Sequence, residues 1–91
     1  MARQLKDFII TSHAAAQMKR RGISEGVVRL ILSAPERRDT VRSGRDLFQA
    51  RAAFAGKTYL VRVFVDVDRQ PAEVVTVYRS SRIEKYRRGQ P

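Results

Sequence analysis

Residues 57–68, KTYLVRVFVDVD, alternate apolar and polar positions with a period of two. Tyr59, Val61, Val63, Val65 and Val67 fall on one side, and Thr58, Leu60, Arg62, Phe64 and Asp66 on the other. β-branched and aromatic residues dominate and no Pro interrupts, so the stretch predicts a central strand. Its first face is uniformly apolar and has to be covered. Its second face carries a cation and a carboxylate among apolar neighbours.

Upstream the pattern is helical. Thr11 or Ser12 is placed to cap a helix that runs through AAAQMKRR and stops at Gly22. Lys19, Arg20 and Arg21 sit in its last turn, where cations complement the helix dipole. Ser24 caps a second helix, with Ile23 and Val28 as a hydrophobic staple, and Pro35 ends it. Before both, residues 3–10 form a lead-in whose Phe8, Ile9 and Ile10 either tuck under the first helix or add a brief strand.

Downstream of Pro35 the period returns to two. Residues 37–42 predict a polar edge strand, and Ser43-Gly44 a turn. Residues 46–55 predict a strand with Phe48, Ala50, Ala52 and Phe54 on one side. Gly56-Lys57 suits a tight hairpin turn with Gly at its first central position. Residues 73–79 read as a fourth strand, and Ser80 or Ser81 then caps a basic helix or tail. The expected fold is α+β: two N-terminal helices packed on one face of a three- to four-stranded antiparallel sheet, with a short basic C-terminal helix. One domain over residues 1–91 is expected, with 80–91 as that helix or tail, because 91 residues supply one core only.

The covered face takes Phe48, Ala50, Ala52, Phe54, the valines of the central strand, Val75 and Val77. The other takes Gln49, Arg51, Leu60, Arg62, Phe64, Asp66, Val74, Thr76 and Tyr78. Guanidinium groups beside exposable rings suit a polyanion with stackable bases. Equally, Arg62 pairs Asp66 or Glu73 while Leu60 and Phe64 form a second small core under the C-terminal helix. Both accounts of that face stay open at this point.

Composition adds a partner class. With 19 basic against 9 acidic residues, the chain carries a formal charge of +10. Such an excess favours polyanions, with RNA leading and an acidic protein compatible with it. The absence of Cys excludes disulfides and thiolate metal sites and fits a cytoplasmic location. No apolar run is long enough to cross a bilayer, so no membrane partner is expected. One His and scattered carboxylates do not make a ligand set, so no metal and no cofactor are expected.

The segments SHAAAQMKRRGIS, KTYLVRVFVD and VVTVYRSSRIEKY, with Pro35 a short way beyond the first, resemble the bacterial DUF4258 domains. More distantly they resemble the BrnT and RelE/ParE group of toxins from toxin–antitoxin pairs. The resemblance spans residues 11–86. It implies a RelE-like compact sheet with N-terminal helices, and a metal-independent ribonuclease acting on RNA and held by an antitoxin. The recurrent positions fall on His13, on Arg20 or Arg21, and on Thr76, Tyr78 and Ser80.

Metal-free RNA cleavage needs a base for the 2′-hydroxyl, an acid for the leaving oxygen and a cation for the phosphate. His13 is the one side chain whose ordinary pKa lies near neutrality, at about 6.5. Gln17 and Arg20 follow it on one helix face. His13 is the candidate base or acid, Arg51 or Arg62 the phosphate clamp, and Tyr78 or Lys85 the second proton-transfer group. Candidate nucleic-acid contacts are Arg20, Arg21, Gln49, Phe64, Thr76, Arg79, Arg82, Arg87 and Arg88. Two functions of different class follow: a small ribonuclease toxin with an acidic antitoxin, and a non-catalytic nucleic-acid- or protein-binding module. The bland counterparts are that His13 is a cap or packing residue and that residues 82–88 are a solvated basic tail.

Overall fold

The structure, a computed structural model, describes residues 7–83. Thr11 starts α1 (Ser12–Arg21) and also fastens it to the sheet. Its Oγ1 accepts the Ala14 N–H at 3.2 Å and donates to the Val74 carbonyl at 3.0 Å, the oxygen that the Thr11 N–H also reaches at 3.1 Å. Gly22 ends the helix at φ +66, the left-handed conformation that a Cβ disfavours. Ser24 caps α2 (Glu25–Ser33), its Oγ accepting the Val27 N–H at 3.2 Å.

The strands are β1 (Phe8–Ile10), β2 (Arg37–Arg42), β3 (Arg45–Phe54), β4 (Lys57–Asp66) and β5 (Ala72–Ser80), in the spatial order β1-β5-β4-β3-β2. The α+β class stands, but the expected three- to four-stranded antiparallel sheet is corrected to a five-stranded mixed one. The fifth strand is β1, which pairs parallel with β5 through Phe8↔Ala72 and Ile10↔Val74. A three-residue strand is too short to show a period. It covers the first part of an edge that β5 would otherwise leave open. β4 is central, flanked by β3 and β5 as its unbroken apolar alternation requires.

Both helices lie on the valine face. Ala14 and Met18 of α1 and Val28, Ile31 and Leu32 of α2 form one core with Phe48, Val61, Val63, Val65 and Val77. Val63 and Val65 are fully buried. The sheet departs from strict alternation at Val41 of β2, between Thr40 and Arg42, and in two further places. Phe64 pairs Thr76 whereas Val65 pairs Val74, so Val75 is an extra residue in β5, a bulge that shifts the phase. Val74, expected on the second face, therefore turns into the core, and Val75 is left half-buried outside it. The β3–β4 loop is Ala55-Gly56 rather than Gly56-Lys57, since Phe54 pairs directly with Lys57. Both loop residues have positive φ, +51 and +80, the signature of a type I′ turn.

No helix among the described residues is long and apolar enough to cross a membrane. The expected C-terminal helix or tail beyond residue 83, with Lys85, Arg87 and Arg88, lies outside the described residues.

Candidate nucleic-acid interface

On the face away from the helices, Arg37, Gln49, Arg62 and Tyr78 stand opposite one another across β2, β3, β4 and β5. Arg62 Nε donates to Gln49 Oε1 at 3.1 Å, and Arg62 Nη1 donates to the Tyr78 hydroxyl at 2.5 Å. The Phe64 and Tyr78 rings stack with centroids 6.2 Å apart, and the Arg62 guanidinium lies 5.7 and 5.6 Å from the two centroids. Thr76 sits beside this group as the cross-strand partner of Phe64. Arg62, Tyr78, Phe64, Gln49 and Thr76 are thus brought together.

The centre of this face is not a wet surface, however. Gln49, Leu47 and Leu60 are all buried there, outside the valine core. Gln49, a candidate nucleic-acid contact, is buried there, and its Oε1 is taken up by the Arg62 guanidinium. Arg51 is exposed but engaged: its guanidinium meets Glu36 at 3.1 and 3.3 Å, and its backbone N–H reaches the same carboxylate at 3.2 Å. Asp66 does not pair Arg62. Arg45 takes it, at 2.6 and 3.2 Å, and that hydrogen-bonded pair holds the Asp66 carboxyl below its ordinary range.

His13 lies elsewhere. It is exposed on α1, on the helix side of the sheet, and makes no hydrogen bond among the described residues. Gln17, one turn on, is committed to the backbone: its Oε1 accepts the Val77 N–H at 2.9 Å. His13 therefore does not converge with Arg51, Arg62 or Tyr78, and the described residues assemble no three-part acid–base–clamp set around it. Among them, too, no group of three or more His, Asp or Glu side chains gathers in the manner of a metal site.

Five carboxylates are paired: Glu25 with Arg29, Glu36 with Arg51, Asp39 with Arg37, Asp46 with Arg38 and Asp66 with Arg45. The other described carboxylates are Asp7, Asp68 and Glu73, and they lie at the end of the sheet where β5 begins. There Asp68, Arg69, Gln70, Pro71 and Glu73 line an open cleft of about 460 Å³. Lys19, Arg20, Arg21, Lys57 and Arg79 make no ion pair among the described residues and belong to the opposite end; Arg42, Arg69 and Arg82 make none there either, and of these Arg42 and Arg69 stand near Asp66. Gln17 stands level with Val77, so one further helical turn of about 5.4 Å carries Lys19–Arg21 to the level of Arg79, about 6.6 Å farther along β5. Arg21 Nη1 is buried and without a hydrogen-bond partner among the described residues.

That end also carries aromatic rings. Phe54 and Tyr59 meet edge to face, with centroids 5.6 Å apart and planes at 80°. The Arg79 guanidinium is 4.4 Å from the Phe54 centroid and 4.5 Å from that of Tyr59, and Lys57 Nζ is 5.5 Å from the Tyr59 centroid. Comparison with protein-family models, curated proteins and solved structures yields no match. The site accordingly rests on its own geometry. Of the residues at this end, Arg20, Arg21 and Arg79 are among the candidate contacts named from the sequence; Lys19, Lys57, Phe54 and Tyr59 are not.

The signal for them was length. A ten-residue helix spans about 15 Å and a ten-residue strand about 33 Å, so neither short helix can cover all of β3 and β4. The last residues of the apolar face, Phe54 and Tyr59, stand at the uncovered end and are half-buried instead of sealed.

Proposed function

We propose that the protein is a nucleic-acid-binding module, with RNA as its ligand, gripping it at the end of the β3–β4 hairpin and the last turn of α1. The carrying observation is a cluster of cations beside aromatic rings. Five cations without a carboxylate partner among the described residues gather at one end with Phe54 and Tyr59, while the surplus carboxylates Asp7, Asp68 and Glu73 lie at the other. Phosphates are the natural counter-charge for such a surface, and releasing their condensed counterions drives association. Rings beside the cations add a stacking surface that every base can use, whereas carboxylates gain only from the cations. The test is binding of a labelled RNA by wild type and by a Lys19→Gln/Arg20→Gln/Lys57→Gln variant. The variant loses most of the affinity at moderate salt; equal affinity sinks the assignment of the surface.

A second function is favoured by the 2.5 Å hydrogen bond from Arg62 to the Tyr78 hydroxyl. It puts a cation and a proton-transfer group side by side, as metal-independent ribonuclease chemistry requires. Thr76, Tyr78 and Ser80, the positions singled out by the DUF4258 resemblance, alternate along β5 on that same face, which supports this toxin-like account. Incubating the protein with RNA in EDTA, beside a Tyr78→Phe variant, separates the two. Cleavage that depends on the hydroxyl establishes a nuclease; binding without cleavage leaves the module.

A further inference from the structure

The proposed RNA surface carries more than charge, and its aromatic part bears on the form of the ligand. The Arg79 guanidinium is held against two rings at once, 4.4 and 4.5 Å from their centroids, and those rings brace each other edge to face. Cross-strand register explains why. Arg79 pairs with Val61, and Tyr59 is two residues away on the same face of β4. Phe54 pairs with Lys57, again two residues from Tyr59. The three side chains thus form a diagonal across β5, β4 and β3, a spacing within reach of aromatic and long side chains.

Arg79 is half-buried, so its guanidinium touches both rings and stays partly open to solvent. It gains by stacking on a flat group and by forking onto a phosphate, which a flexible ammonium does not do as well. Duplex nucleic acid hides its base faces in the stack, and offers such a platform only its backbone. An unpaired strand offers both bases and phosphates. We infer that the Phe54–Tyr59–Arg79 platform, with Lys57 beside it, selects unpaired bases, so that the ligand is a single strand rather than a duplex. This deepens the RNA-binding proposal and rests on it.

The experiment compares the full chain's affinity for a single-stranded oligoribonucleotide and for a duplex of the same length at one salt concentration. Arg79→Lys keeps the charge and removes the plane; Tyr59→Leu keeps apolar cover for Phe54 and removes the ring. Thermal unfolding of each variant confirms that it is folded. Wild type binds the single strand more tightly, and each variant loses about tenfold on the single strand and distinctly less on the duplex, so that the preference for the single strand shrinks. Equal wild-type affinity for the two forms overturns the inference, as does wild-type single-strand affinity in both variants; either result leaves the RNA-binding proposal standing. Absence of binding to both forms at low salt removes that proposal along with it.

Discussion

The side-chain carbonyl of Gln17 accepts the backbone N–H of Val77 at 2.9 Å, and this bond ties α1 to β5 beyond the point where β1 stops covering that edge. It sets how far along the sheet the last turn of α1 reaches, and so where Lys19, Arg20 and Arg21 stand. Gln17→Leu leaves the N–H of the fully buried Val77 without a partner. The expected loss is about 1–3 kcal/mol in urea unfolding, with faster hydrogen exchange at the Val77 amide. Unchanged stability and exchange would show that water replaces the amide at no cost.

Val63 is fully buried at the centre of the sheet, cross-strand from Phe48 and Val77. Val63→Asp introduces an unpaired charge there at a cost of several kcal/mol, comparable with the whole stability of a small domain. The variant is expected to be unfolded by circular dichroism and amide dispersion. A folded variant would mean that the valine face is not the core.

Ala55 holds φ +51 in the hairpin turn, a conformation that costs a non-glycine residue about 1 kcal/mol. Ala55→Asn, giving Asn-Gly, matches the type I′ turn and should raise the urea midpoint by the equivalent of about 0.5–1 kcal/mol. A lower midpoint would contradict the turn assignment.

The alternation in 57–68, the caps at Thr11, Ser24 and Gly22 and the break at Pro35 made both helices and the β2–β5 meander legible. Local chemistry determines those features. The parallel pairing of Phe8–Ile10 with β5 was not legible, because it joins residues some 64 positions apart and depends on which edge remains open. The phase of β5 was misread for a related reason. The run Val74-Val75 gives no local sign of which valine is the bulge, and the register with Phe64 and Val65 decides it. Of the site, the arginines and tyrosines were visible as residue types. Their sorting into paired and unpaired groups required the cross-strand partners, which only the assembled sheet supplies.

The Arg45–Asp66 pair makes a pH prediction. Hydrogen bonding to Arg45 is the largest cause holding the Asp66 carboxyl below its ordinary value, and it outweighs the opposing cost of desolvation. A carboxyl lowered in the folded state adds stability that is fully present above the unfolded value of about 3.9 and lost as pH falls through the folded value. Solvent screens this pair at the sheet surface, so the contribution is about 1 kcal/mol or less. Asp66→Asn should therefore be less stable than wild type at pH 6 and should close most of that gap by pH 2. A gap that stays constant with pH would assign the loss to packing rather than charge.

The most direct test of the central claim is the salt dependence of binding to a single-stranded RNA oligonucleotide, measured by fluorescence anisotropy. For wild type, log K should fall linearly with log salt, with a slope of about −0.7 for each phosphate contacted. In the Lys19→Gln/Arg20→Gln/Lys57→Gln variant the slope should be shallower by about 2, one step of roughly 0.7 for each cation removed. An Arg37→Gln/Arg51→Gln control, which removes cations already paired with Asp39 and Glu36, should keep the wild-type slope. If the control variant loses the slope and the triple variant keeps it, the nucleic acid lies on another surface and the hairpin end of the sheet is not where RNA binds.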